Sequence, residues 1–167
     1  RSESFRGFSA NGSRASEFEG AMLNIQLDRL PDMVRQMRRQ KKRIIRALQD
    51  SGLGLVPLHS PEHECGSQTM FHLPTPDKAA RFAHLTGGTV LAKTGRHTYN
   101  EWDPILSHQG AAHPAMNPYK FSANRRCRKR YTLDMCRASL HILERTVMIG
   151  NHPDRTDEQV SALIGKI

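Results

Sequence analysis

The sequence predicts an α+β domain. Long stretches carry apolar residues at helical spacing, a few short strand-like runs lie between them, and neither a G-x-G-x-x-G turn nor a Walker loop marks a doubly wound sheet. At 167 residues the chain suffices for one hydrophobic core and is short for two.

Ser16 and Glu19 have the S-x-x-E spacing of a capping box, which predicts a helix from about Ser16 to Leu30. Its apolar residues Phe18, Met22 and Ile25, with the parallel row Leu23, Leu27 and Leu30, cover more than one face. Such a helix is either deeply buried or part of a subunit interface. Pro31 suits the first turn of a second helix, with Asp32 near its positive end, and Ser51-Gly52 closes it. Residues 54–61 are turn-rich, and Gln68 to Leu73 alternates like a strand until Pro74 stops it.

Thr75 as N-cap, Pro76 at the first helical position and Gly87-Gly88 at the end delimit the next helix. Thr89 to Ala92 is a short apolar strand. The chain from Gly95 to Tyr119 is long, irregular and dense in His, Tyr, Trp, Asn and Pro, a composition that points to function rather than disorder. Leu133 to Glu144 is helical in period, Arg145 to Ile149 is a strand, and Asp157 to Ile167 is a closing helix.

The net charge of +9 and the isoelectric point near 10.0 raise the possibility of a polyanion partner. The charge lies in two clusters, Arg35 to Arg46 and Arg125 to Arg130. The first interleaves with Met37, Ile44 and Leu48 like the solvated face of an amphipathic helix, and neither carries aromatic platforms or a groove-reading motif. The expectation is no nucleic-acid partner, with a basic module binding RNA or other polyanions as the alternative. No apolar run spans a bilayer and no signal-peptide pattern stands out, so no membrane association is expected.

Cys65, Cys127 and Cys136 are odd in number and lack C-x-x-C spacing, which fits a reduced, cytoplasmic protein. His59, His63 and Cys65 offer three zinc-type side chains, but Pro61 and Gly66 prevent a regular helix from presenting them on one face, so no metal is expected. The chain opens on Arg1, and residues 1–12 show no steady period, which places the expected natural start upstream.

Ser13-Arg14-Ala15-Ser16-Glu17 through Gln26-Leu27-Asp28-Arg29-Leu30 resembles the N-x-R-M-S-E-x-x-A-A … Q-L-x-R-L signature of the DegT/DnrJ/EryC1/StrS family of pyridoxal-phosphate-dependent sugar aminotransferases. The tail, Ser139-Leu140-His141-Ile142-Leu143-Glu144-Arg145-Thr146-Val147, Asn151-His152-Pro153-Asp154 and Thr156 to Val160, resembles the end of those enzymes. The resemblance implies that residues 16–167 are the small C-terminal domain of a fold type I aminotransferase, a short antiparallel sheet packed with helices. Long helices at 16–52 would lead into an α+β part at 53–167. Residues 1–15 would be an interface and substrate turn at the tail of a large domain.

The same resemblance implies a homodimer that moves an amino group from glutamate or glutamine to a keto or aldehydo sugar in polysaccharide or cell-surface sugar biosynthesis. In the family, pyridoxal 5'-phosphate is held mainly by the preceding large domain, and no lysine of this chain has the S-x-x-K context of the Schiff-base residue. No catalytic residue is therefore expected here. The family's asparagine, which reaches the neighbouring subunit's cofactor phosphate, falls at Gly12. Either the turn carries an extra residue and Asn11 binds the phosphate, or that contact is lost. Arg14 matches the arginine that lines the neighbour's substrate pocket. In the long loop, Arg96, His97, Tyr99, Trp102 and His113 are the expected sugar-binding residues, their donors holding hydroxyls and their rings stacking on the sugar.

Overall fold

Ser16 starts the first helix as its spacing demands. In the computed structural model of the chain, which describes residues 16–49, 51–95, 98–110, 113–127 and 129–167, the Ser16 hydroxyl accepts from the Glu19 backbone N–H at 3.1 Å. The Glu19 carboxylate accepts from the Ser16 N–H at 2.7 Å. Helix α1 (Glu17–Ala47) follows as a single 31-residue element, with Pro31 inside it rather than at the start of a second helix. A proline in a helix interior removes one N–H and crowds the carbonyl four residues back, here that of Leu27. Residues 21–32 are exposed, so water can satisfy the freed carbonyl and the helix continues. It ends at Ala47 with Leu48 as C-cap, short of Ser51-Gly52.

The first half of α1 is not deeply buried within this chain. Phe18 is 73% exposed and Leu23 57%, and only near Gln40, Lys41 and Ile44 does the helix enter the core.

Four strands form one antiparallel sheet in the order β1-β2-β4-β3: β1 (Gly54–Leu55), β2 (Gln68–His72), β3 (Thr89–Val90) and β4 (Thr146–Gly150). The central pair sets Thr69 opposite Ile149 and Phe71 opposite Val147. Strand β1 lies in the stretch expected to be turns, because two residues carry no periodicity and only pairing with Phe71 and His72 defines them. The strand expected over Thr89–Ala92 ends at Val90, and Leu91–Lys93 is a 3-10 turn.

Helix α2 (Pro76–Thr86) has the expected N-cap, Thr75 accepting from Lys78 N–H, and ends on Gly87 at φ 70°, the left-handed conformation that glycine adopts without a Cβ penalty. Helix α3 (Asp103–Leu106) is a single turn, and α4 (Arg137–Glu144) starts four residues later than its period suggests. Helix α5 (Asp157–Lys166) is opened by a second capping box, Thr156 with Gln159.

The chain divides into two compact units. One comprises Ala15–Leu91 with Ile142–Ile167, and the other includes the described residues between Ala92 and His141. The first holds the sheet and the core. Phe71, Val147 and Ile149 point from the central strands toward Phe82 and Ala83 of α2, Ile44 of α1, and Val160 and Leu163 of α5. The Phe71 and Phe82 rings meet at 5.2 Å. The architecture is therefore mixed α and β, with a small antiparallel sheet and helices.

Candidate functional site

Asn11, Arg14, Arg96 and His97 lie outside the described residues. Tyr99, Trp102 and His113 lie within the Ala92–His141 unit, where short 3-10 turns replace regular structure. Tyr99 opens one of them (Tyr99–Glu101), and its half-buried phenol accepts from the Cys136 N–H at 3.3 Å. That hydroxyl thus ties two segments of the unit together. Trp102 follows on the same turn, its backbone N–H donating to the Tyr99 carbonyl at 3.0 Å, and is 46% exposed. An indole so placed offers a ring face for stacking.

His113 is exposed and caps the next turn, Pro114–Met116. Its Nδ1 accepts from the Ala115 N–H at 3.2 Å, so in the neutral ring the proton sits on Nε2, where it can be donated. The three residues thus share a unit, and each makes a hydrogen bond within it, while Trp102 and His113 are also exposed.

The hub of this unit is His108. It stacks on Tyr119 at 4.7 Å, meets Tyr131 edge-on at 5.8 Å, and its Nε2 donates to the Lys129 carbonyl at 2.8 Å. Its backbone has a φ of 56°, and the buried Asn117 amide donates to its carbonyl at 2.8 Å. A non-glycine residue held in the left-handed region needs such surroundings. Nothing in the sequence marks His108 above its neighbouring histidines, since its partners lie 11 and 23 residues away along the chain (119 less 108, 131 less 108).

In the sheet-bearing unit, the first basic cluster is largely spent on internal pairs. Lys41, 5% exposed, meets Glu64 at 2.5 Å, and Arg38 Nε donates to the Glu64 carbonyl. Arg39 and Arg43 converge on Asp157 at 2.7 and 3.1 Å. Gly66 permits this closeness: a Cβ there would stand 2.7 Å from the Arg38 nitrogen. Nearby, the Ser67 hydroxyl and then its backbone N–H hold the Cys65 thiol below its usual range.

His59, His63 and Cys65 do not converge. His63 Nδ1 pairs with the Ser60 hydroxyl at 2.8 Å and Cys65 with that of Ser67 at 3.2 Å. Among the described residues no group of three metal-type side chains comes together. Among them, too, no helix is long and apolar enough to cross a membrane. A cavity walled in part by His72, Lys78 and Arg145 was not legible in the sequence, because those residues come from β2, α2 and the turn before β4. No protein-family model matches the chain, and no curated protein matches it.

Proposed function

We propose that this chain is the C-terminal part of a pyridoxal-phosphate-dependent sugar aminotransferase similar to the DegT/DnrJ/EryC1/StrS enzymes, moving an amino group from glutamate or glutamine to a keto or aldehydo sugar. The reading rests on one observation, the two family-like motifs at residues 13–30 and 139–160 in the right order. Supporting it, each motif coincides with a formed capping box, Ser16–Glu19 and Thr156–Gln159. Arg14, two residues ahead of the first cap, is the proposed substrate ligand. Asn11 is the proposed contact to the cofactor phosphate, and Trp102 and His113 contribute the stacking face and the donor for a sugar. The exposed apolar residues of α1 support a homodimer, and cytoplasmic location is part of the same reading.

The described residues do not build a site for pyridoxal phosphate. An amine that attacks a carbonyl must be desolvated and neutral. Lys41, the buried lysine, is ion-paired with Glu64, while Lys42, Lys78, Lys93, Lys120, Lys129 and Lys166 are exposed. The attachment lysine belongs, on this reading, to a preceding large domain. The rival reading, a basic module for RNA or other polyanions, is disfavoured by the pairing of Arg38, Arg39, Lys41 and Arg43 with Glu64 and Asp157 of the same chain.

The test is to express the chain continuous with its upstream coding sequence and add pyridoxal phosphate. A borohydride-reducible visible chromophore with its label on an upstream S-x-x-K lysine, together with transfer of glutamate nitrogen to a keto sugar, is the expected result. Label on a lysine of this chain, or an upstream sequence without that lysine, overturns the reading.

A further inference from the structure

The basic cluster of α1 is largely paired within the chain, and the second basic cluster is not. The stretch from Tyr119 to Tyr131 holds six Lys and Arg and no Asp or Glu. Lys120, Arg125, Arg126, Lys129 and Arg130 are exposed, and none of them forms an ion pair among the described residues. The three carboxylates between residues 92 and 141 are placed elsewhere. Glu101 accepts from the Thr98 hydroxyl at 3.1 Å, Asp134 pairs with Arg137 at 3.9 Å and accepts from the Thr132 hydroxyl at 3.0 Å, and Asp103 opens α3.

The fold holds this stretch as a closed loop. At one end the Tyr119 ring stacks on His108 at 4.7 Å; at the other, Tyr131 meets the same imidazole edge-on at 5.8 Å and the Lys129 carbonyl accepts from its Nε2 at 2.8 Å. Asn117 braces the first end, its Nδ2 donating to the His108 carbonyl at 2.8 Å and its Oδ1 accepting from the Tyr119 N–H at 3.0 Å. Asn124 Nδ2 donates to the Pro118 carbonyl at 2.9 Å, which ties the middle of the loop to its start. Compact surface loops with their ends held together are frequently functional. Like charges crowded on such a loop repel one another, a cost that spreading the same cations over the surface would avoid.

Composition selects the partner. Residues 122–130 contain no Val, Leu, Ile, Met or aromatic side chain to enter a lipid layer, which separates the loop from the basic amphipathic segments that lie on membranes. Arg125, Arg126 and Arg130 carry planar forks of the kind that bind two phosphate oxygens at once and stack on bases. A single strand is flexible enough to follow so short a loop and to lay its bases on the guanidiniums.

We propose that the loop closed on His108 is a docking surface for single-stranded nucleic acid. Lys120, Arg125, Arg126, Lys129 and Arg130 contact its phosphates, and bases stack on the arginine planes. Because the loop ends are held before the strand arrives, less ordering cost opposes binding. Contacts of this kind read the backbone and not the sequence. The surface belongs to the chain whether or not the aminotransferase reading holds.

Fluorescence anisotropy of a short labelled oligouridylate, titrated with the whole chain at several salt concentrations, tests it. Five phosphate contacts should give a plot of log K against log[salt] with a slope of about −3.5, and Arg125→Gln with Arg126→Gln should make it shallower by about 1.4. Arg125→Lys with Arg126→Lys should keep the slope and lower the affinity several-fold. The control pair Lys78→Gln and Lys166→Gln, in the other unit and equal in charge removed, should leave the slope unchanged. A slope near zero, equal flattening by both Gln pairs, or binding to phosphatidylserine vesicles without binding to oligouridylate would each overturn the proposal.

Discussion

Glu64 binds through two different groups: its carboxylate pairs with the Lys41 ammonium, and its carbonyl accepts from Arg38. Lys41 is 5% exposed, so that carboxylate is the counter-charge to a buried ammonium. Glu64→Gln should destabilise the fold by about 2–3 kcal/mol in chemical denaturation, since it leaves a buried ammonium facing a neutral acceptor. Adding Lys41→Met should restore most of the loss. If the single substitution is neutral, the pair is a surface contact and not an anchor. Arg14 tests the proposed chemistry at the same scale. Lysine keeps its charge but loses two-pronged geometry, so Arg14→Lys in the upstream-extended enzyme should lower kcat/KM about ten- to a hundredfold while the melting temperature barely moves. A large drop in melting temperature with turnover intact would make Arg14 a structural residue.

At the scale of the element, α5 carries a pH signature. The Thr156 hydroxyl, then the Glu158 backbone N–H, favour the ionised carboxylate of Glu158 and hold it below its ordinary value of 4.5, with Arg43 adding a smaller attraction. A carboxyl whose pKa is lowered on folding stabilises the folded state above its unfolded value and loses that contribution as pH falls through the folded value. The stability of the wild-type chain should therefore fall more steeply below pH 4.5 than that of Glu158→Gln, in thermal melts across the acid range. Identical acid limbs would show that the hydrogen bonds do not survive in solution. The helices legible in the sequence are those, like α2 and α5, whose ends are written in adjacent residues: Thr75, Pro76 and Gly87, or Thr156 and Gln159. Pairing hides the rest. Strand β1 exists through Phe71 and His72, and His108 is placed by Tyr119, Tyr131 and Lys129, none of which local periodicity reveals. Pro31 misled because it lies among exposed residues, where water can satisfy the freed carbonyl and the helix continues. Arg14 and Asn11, the residues closest to the proposed chemistry, fall outside the described part of the chain.

For the whole molecule, the exposed apolar residues of α1 are the dominant surface feature. Phe18, Met22, Leu23, Ile25, Leu27 and Leu30 are all exposed on consecutive turns of one helix. Patches of this kind on soluble proteins mark interfaces or association sites. The chain should self-associate at micromolar concentration in sedimentation experiments, and Leu23→Glu with Leu27→Glu should return it to monomer. A stable monomer of the unmodified chain would remove the support that α1 gives to the homodimer.

The continuity of α1 through Pro31 makes the helix a ruler with an angular scale. Its rear is clamped where Gln40 donates to the His152 carbonyl at 2.7 Å and Lys41 meets Glu64. Every residue ahead of that clamp advances about 1.5 Å and turns about 100°. Deleting one residue from the exposed half would swing Phe18 and the Ser16 cap about a quarter turn around the axis. Deleting seven would bring them back to within about 20° of their bearing. Substitutions in this stretch change what the helix displays, whereas insertions and deletions change where it aims. Relatives of this chain should therefore vary freely in residue type between Ser16 and Gln40 but hold the number of residues between them fixed, or alter it by about seven, eleven or eighteen, the numbers that restore the bearing.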